Sequence, residues 1–384
     1  AVDWALRYDE FFDPKQVVFA RHLLAVGRER AAQLRAGQTP WLNAGGMVIR
    51  AYRSKIDGSV QPFAVVLPPG WKRDDGLPRR LDVVLAGRGE KRTELAFIAE
   101  HEKSPGQIVP DDTIILHPYG RYCNATKFAG EVDVFEAIDQ VGAVYGIDAK
   151  RIVVRGFSMG GASTWHLAAH HSGFWCAASP GAGFAETAVY TKAFAPDKEP
   201  PTWWEQKLWR WYDATGYAAN LFNCPTVAYS GEIDPQQQAA DIMAQAMAAE
   251  GLKLEHLIGP QTPHRYHPDT KNELAARLAT FAAKGRSDLP PEVRLTTYTL
   301  QYPAASWVQI EGLEKHWERA DVRARLEKSD SLAVTTKNVT ALQFFLKPGW
   351  TGNVAIDGRS VAIAGESKPA GVWLRKQGAQ WVRG

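Results

Sequence analysis

The sequence predicts an α/β fold built on a mostly parallel sheet, followed by a small module made of strands alone. Three observations carry that expectation. Strand and helix candidates alternate from Met47 to about Ala283, a Gly-x-Ser-x-Gly turn joins one strand to the next helix, and beyond Ser287–Pro291 the pattern changes to short β-branched and aromatic runs. At 384 residues the chain is long for one ordinary domain, and 45% hydrophobic against 23% charged residues is enough apolar side chain for a large core. The net charge is only +3 with the basic residues dispersed, which argues against a nucleic-acid binder. No apolar run approaches the roughly 20 residues of a membrane span. Cys123, Cys176 and Cys224 lie far apart without Cys-x-x-Cys or Cys/His spacing, so neither a zinc site nor a disulfide framework is expected. No metal, nucleotide or flavin motif occurs, and no cofactor is expected. The first residue is Ala1, which reads as a processed or trimmed start and, with it, export to a periplasm or the medium.

Residues 1–45 read as a helical appendage. Asp13-Pro14 is a start signal, Phe19, Leu23, Leu24 and Val26 mix with polar residues, and Gly27 is the only internal breaker. Residues 46–286 form the expected α/β domain. It opens with a hairpin, Val48–Tyr52 and Phe63–Leu67, the latter stopped by Pro68-Pro69-Gly70. Leu81–Leu85 is a short buried strand ending in Gly87-Arg88-Gly89, and a helix follows near Thr93–Glu102. Then strands at Thr113–Leu116, Arg151–Arg155, Phe174–Ala178, Thr226–Ser230 and Leu254–Ile258 alternate with helices at Glu131–Val144, Met159–His170, Pro235–Glu250 and Thr270–Ala283. Parallel strands need such crossover helices, which cover both faces of the sheet. Residues 291–384 read as a β-sandwich, with strands at 293–302, Ser306–Ile310, Ser331–Thr336, Leu342–Leu346, Val354–Ile356 and Val361–Ile363, and Asp357-Gly358 as a hairpin turn.

The chemistry centres on Gly156-Phe157-Ser158-Met159-Gly160-Gly161. A strand, a tight turn and a helix lift the serine above the sheet, and glycines flank it because a Cβ would collide with neighbouring backbone. A serine hydroxyl needs a general base, and the base needs an acid to set its tautomer. Such an elbow goes with the chain order nucleophile, acid, histidine. Gly231-Glu232-Ile233-Asp234 follows a strand, and Asp234 is the chosen acid with Glu232 as the alternative; Asp234 also suits an N-cap for the helix at Pro235. After the next strand, His264 stands nearer the strand end than His267, so His264 is the expected base. His267, before Pro268, is left to contact substrate or open the next helix. His166, His170 and His171 lie on the helix behind the serine and read as structural. The amides of Met159 and Arg88 are the expected oxyanion donors. The long insertion at 184–223 carries Trp203, Trp204, Trp209 and Trp211 with Tyr190 and Tyr212, which suit either a cap with a stacking wall for a sugar or aryl group or a core anchor. In His117-Pro118-Tyr119-Gly120-Arg121, Tyr119 and Arg121 either reach a substrate or brace their loop.

These motifs resemble the bacterial esterase and prolyl-oligopeptidase-like branch of the α/β-hydrolase superfamily. The resemblance runs from about Val48 to Ala283 and rests on Gly87–Gly89, His117–Arg121, Gly156–Gly161, Gly231–Asp234 and Gly259–His264. It implies an α/β-hydrolase fold with a cap insertion, serine-dependent cleavage of a carboxylic ester, and triad roles for Ser158, Asp234 and His264. Relatives include feruloyl and acetylxylan-type carbohydrate esterases, so a small or polysaccharide-linked ester is the implied substrate. Ala86 departs from the histidine many relatives carry before the oxyanion glycine. Prolyl peptidases usually place a β-propeller before the catalytic domain, whereas about 45 residues precede the first strand here, so the peptidase reading ranks second. A carbohydrate-binding protein with a lapsed hydrolase domain ranks third, because every triad candidate is present.

Overall fold

The computed structural model describes residues 1–73, 75–106, 110–363 and 371–384. The chain divides into two compact units, Ala1–Ser163 and Thr164–Gly384.

The first unit opens with α1 (Val2–Arg7) and α2 (Pro14–Arg35). Asp13 and Gln16 form a capping box at the start of α2, with Pro14 in its first turn where a missing N–H costs nothing. Gly27 does not end that helix, which runs 22 residues. Phe19, Leu23 and Ala20 pack with Ala5 and Leu95, so the appendage is tied down by apolar contact. Next come β1 (Met47–Arg53), β2 (Val60–Val66), β3 (Arg79–Leu85), α3 (Glu94–His101), β4 (Thr113–Pro118), α4 (Ala129–Tyr145) and β5 (Ile147–Phe157). The strands lie in the order β1-β2-β4-β3-β5. The hairpin expected at the start pairs Met47 with Val66, and β2 runs antiparallel to β4. From there β4, β3 and β5 run parallel. Ile114, Ile115, Leu116, Val153 and Val154 have no exposed surface, the unbroken apolar run that a strand covered on both faces requires. α5 (Met159–His170) begins as this unit ends.

The second unit continues with β6 (Ala177–Gly181), α6 (Thr187–Tyr190), α7 (Trp203–Trp209), β7 (Val227–Gly231), α8 (Gln237–Ala249), β8 (Glu255–Gly259) and α9 (Pro268–Lys284). β6, β7 and β8 are parallel neighbours. The strand expected at Phe174–Ala178 starts only at Ala177. Phe174 and Trp175 belong to the turn before it, where the Trp175 indole is fully buried and donates to the Leu167 carbonyl at 3.0 Å.

Two five-stranded sheets follow, built from β9 (Glu292–Thr297), β10 (Ala304–Ala305), β11 (Val308–Leu313), β12 (Ala320–Lys328), β13 (Ser331–Lys337), β14 (Val339–Phe344), β15 (Gly352–Ile356), β16 (Arg359–Ile363), β17 (Val372–Gln377) and β18 (Gln380–Arg383). One sheet has the order β10-β11-β14-β17-β18 and the other β16-β15-β13-β12-β9. Val293, Val322, Val334 and Ile356 of one sheet share a core with Ile310, Leu342, Phe344 and Leu374 of the other, which makes this a β-sandwich. The run expected over 293–302 ends at Thr297, and β10, β12, β17 and β18 are strands beyond those expected from the sequence. Asp357 and Gly358, both at positive φ, make the expected two-residue turn between β15 and β16. The fold is that of an α/β-hydrolase with a mostly parallel central sheet, followed by antiparallel-rich sheets. Among the described residues no helix is long and apolar enough to cross a membrane.

Candidate active site

In the first unit Ser158 occupies the turn between β5 and α5 with φ +59°. That region is strained for any residue with a Cβ, and strain of this kind is held in place only where surrounding packing fixes it. The flanking glycines supply that packing. A Cβ on Gly156 would lie 2.5 Å from the Gly160 carbonyl oxygen, and one on Gly160 would lie 2.2 Å from the Leu85 carbonyl oxygen. Strand β5, the elbow and the end of β3 are thus in backbone contact, which explains why this motif tolerates no side chain there.

Below the elbow, β3 and β5 are locked by a buried ion cluster. Arg80 Nε donates to Asp82 Oδ1 at 2.6 Å, and Arg155 Nη1 to Asp82 Oδ2 at 3.3 Å, with all three side chains inside the protein. Only their spatial neighbourhood identifies these residues, since each reads as an ordinary charge within an apolar strand. Gly87 sits close enough to the elbow that a Cβ on it would be 3.6 Å from the Phe157 carbonyl oxygen. Arg88 lies past the end of β3, outside the strand ladder, and its exposed guanidinium pairs with Glu90. Met159 is the first residue of α5, where a helix leaves its amides without an internal acceptor. Both expected oxyanion donors are therefore backbone amides that secondary structure leaves over. The Tyr122 hydroxyl donates to the Glu90 carbonyl and Cys123 Sγ lies 3.6 Å from Met159 Sδ, so the loop after β4 braces both the Arg88 segment and the elbow.

In the second unit the expected acid and the expected base meet. Asp234 is 4% exposed, and its Oδ2 lies 2.8 Å from His264 Nδ1. Its other oxygen accepts from the Gln236 amide at 2.8 Å, so the carboxylate both orients the imidazole and closes the turn into α8. With Nδ1–H donating to Asp234, Nε2 of His264 is left as the basic nitrogen. Glu232, the alternative acid, turns to the other side of its loop and accepts from the Gln261 amide and side chain at 2.7 and 2.8 Å. Gly231 is needed because a Cβ there would be 2.2 Å from the Thr262 carbonyl oxygen, the approach that brings the two loops together.

The remaining candidates are spread. His267 is the N-cap residue of α9, its amide donating to the Tyr229 hydroxyl at 2.7 Å. Tyr119 packs against Phe97 with tilted rings whose centroids lie 5.5 Å apart, and burial raises its phenol pKa. Arg121 is spent inside the protein, with Nε on Asp133 at 2.9 Å, Nη1 on Asp57 at 2.6 Å and Nη2 on Ser54 at 2.8 Å. Those contacts give it the loop-bracing role. Asp57 is drawn well below the usual carboxylate range chiefly by its bond to Arg121. On α7, Trp203 and Trp204 are 69% and 51% exposed and meet edge to face at 5.8 Å, whereas Trp209 is half-buried against Phe194. His166 and His170 are buried, and the His170 ring meets Tyr217 and Tyr302 in tilted contacts with centroids 4.0 and 4.3 Å away.

The model of the prolyl oligopeptidase family matches residues 125–286. No curated protein matches the chain at a significant level. Three solved structures illustrate its likeness to known folds. An acylaminoacyl peptidase from Pyrococcus horikoshii is 15% identical with a TM-score of 0.47, over 64% of this chain and 43% of that one. A dipeptidyl peptidase 4 from Porphyromonas gingivalis is 17% identical with a TM-score of 0.44, over 63% and 36%. A ferulic acid esterase is 15% identical with a TM-score of 0.46, over 63% and 99%. The chain thus spans less than half the length of the two peptidases and nearly all of the esterase.

Proposed function

We propose that the chain is a serine hydrolase of the α/β-hydrolase superfamily that cleaves carboxylic esters through an acyl-enzyme on Ser158. Ser158 Oγ attacks the acyl carbon as its proton passes to His264 Nε2, and Asp234 holds the imidazolium through Nδ1–H. The amides of Met159 and Arg88 stabilise the oxyanion, which in a site of low dielectric is worth more than in water. His264 then returns its proton to the departing alcohol. Water, deprotonated by the same imidazole, attacks the acyl-enzyme and releases the carboxylic acid and free serine.

The observation that carries this reading is the 2.8 Å bond between buried Asp234 and His264 Nδ1, which fixes the tautomer a general base requires. We assign the carbohydrate-linked class, with feruloyl or acetyl groups, to the exposed faces of Trp203 and Trp204, which suit stacking on a sugar or aryl ring. Cap placement for 184–223, a separate domain from residue 291 and an exported enzyme belong to the same proposal.

The second reading, a peptidase using the same residues, is favoured by the family match over 125–286. Comparing kcat/KM for p-nitrophenyl acetate, methyl ferulate and a prolyl p-nitroanilide separates the two. Rapid ester turnover with no anilide cleavage supports the ester reading. Anilide cleavage matching ester cleavage overturns it in favour of the peptidase.

A further inference from the structure

Apart from the residues assigned to catalysis, the second unit carries a recess of about 190 Å³ on the sheet β16-β15-β13-β12-β9. The strand register sets its floor. Arg294 of β9, Arg323 of β12 and Thr335 of β13 lie side by side in one row across three strands, and Thr296, Asp321 and Lys337 form the next row. Paired residues project to the same face of a sheet, as do residues two apart along a strand, so all six share the face opposite the core residues Val293, Val322 and Val334. Arg319 and Glu250, the latter at the end of α8, add to the lining.

That arrangement concentrates positive charge. Arg294 and Arg323 stand directly opposite each other, a like-charged pairing that costs stability unless something offsets it. The carboxylates around them are already engaged. Arg319 donates to Glu250 at 2.6 and 3.0 Å through Nη1 and Nη2, and to Asp321 at 2.9 Å through Nε. Arg294 donates to Glu292 at 3.0 Å and lies over the Phe222 ring, 4.0 Å from its centroid. Arg323 and Lys337 are exposed, and neither side chain forms an ion pair or hydrogen bond among the described residues. These two cations flank one hydroxyl, since Arg323 is directly opposite Thr335 and Lys337 is two residues further along β13 on the same face. Glu250 registers the charge gathered there: its carboxyl is held below its usual range, chiefly by the bond to Arg319, with Arg323 and Arg294 adding to it.

We propose that this recess binds a phosphoryl group, as free phosphate or as the end of a phosphomonoester. At about 190 Å³ it is smaller than the roughly 300–1,000 Å³ of sites that enclose a whole small molecule, which fits one compact group. The Arg323 fork, the Lys337 ammonium and the Thr335 hydroxyl donate to its oxygens from three sides, and a charge of nearly −2 at pH 7 answers both unpaired cations. A carboxylate, with a single charge, leaves one of them uncompensated. The site does not depend on the ester-cleaving role of Ser158.

Calorimetric titration of the full chain with inorganic phosphate, glycerol 3-phosphate and acetate, at matched ionic strength and pH 8, tests this. The phosphates bind, and acetate binds at least about tenfold more weakly, as loss of a charge-assisted bond requires. Tighter binding of glycerol 3-phosphate assigns the site to a monoester, and tighter binding of inorganic phosphate assigns it to the free ion. Arg323→Gln and Lys337→Gln, both at exposed positions, keep the parent's thermal unfolding and each weaken phosphate binding about tenfold. Lys328→Gln removes the same charge at the end of β12, outside the recess, and leaves the affinity unchanged. Equal affinity for phosphate and acetate overturns the proposal, as does no binding of either phosphate. So does unchanged binding in both recess variants, or a loss in Lys328→Gln equal to theirs, which marks diffuse attraction to a basic surface.

Discussion

Replacing Asp234 by asparagine probes the acid–base pair with almost no change in volume. Asp234 accepts two bonds of 2.8 Å, one from the Gln236 amide and one from His264 Nδ1. Asparagine has one acceptor and one donor end, so it can satisfy only one of them. If its oxygen keeps Gln236, its NH₂ faces Nδ1 and forces the proton onto Nε2, the nitrogen that must accept from Ser158. If it turns over, the His264 bond survives but two donors face each other in a nearly dry site, which costs about 1–3 kcal/mol of stability. The wrong tautomer is worth about a thousand- to ten-thousand-fold in kcat, or about 4–5.5 kcal/mol of barrier. The assay is p-nitrophenyl acetate hydrolysis across pH, beside thermal unfolding and a parallel Glu232→Gln variant. Asp234→Asn should lose activity by that factor while remaining folded, and Glu232→Gln should stay within a few-fold of the parent. Collapse of activity in Glu232→Gln with Asp234→Asn nearly intact would refute the assignment.

Gly160→Ala should abolish turnover and lower stability by at least about 2 kcal/mol, because its Cβ meets the Leu85 carbonyl at 2.2 Å and backbone cannot yield as a side chain can; activity and thermal unfolding read this out. Removal of Arg121 by Arg121→Met should cost about 3 kcal/mol, since it strands the buried Asp133 carboxylate, and chemical denaturation measures it. Burial, with a smaller contribution from neighbouring His101, pushes the pKa of His117 down to about 3 from 6.5. The unfolded chain therefore binds a proton that the fold excludes, and stability is full above pH 6.5 and falls as pH drops toward 3. The loss due to this group is about 2 kcal/mol between pH 7 and pH 5. Denaturation at both pH values should show it, and His117→Phe should flatten it. If Trp203 and Trp204 bind sugar, Trp203→Ala and Trp204→Ala should raise KM for a feruloylated oligosaccharide and leave methyl ferulate unchanged.

The alternating half of the fold was legible because its strands are unbroken apolar runs, such as Ile152–Val154, each followed by a helix-period stretch. The strand β12 escaped notice although it alternates, since its inward positions include Ala320 and Ala324, whose small side chains give little hydrophobic contrast against Arg323 and Arg325. β6 was placed three residues early because Phe174 and Trp175 are the most apolar residues nearby, yet they anchor a turn. The elbow could be read locally, since it needs a serine between glycines at one bend. The preference for Asp234 over Glu232 rested on position alone, and what separates them is the direction each side chain takes from the same loop. Arg121 was open between two roles for a similar reason. Its partners Asp57 and Asp133 lie 64 and 12 residues away in the chain, and pairing over such separations leaves no periodic trace.

The central claim is that Ser158 is the nucleophile. Intact-mass measurement after exposure to a fluorophosphonate, on the parent and on Ser158→Ala with matched unfolding curves, tests it most directly. The account predicts a single phosphonyl adduct on the parent, mapped to the peptide carrying Ser158, and none on the variant. A folded parent that takes no adduct, or a variant labelled as fully as the parent, would contradict it.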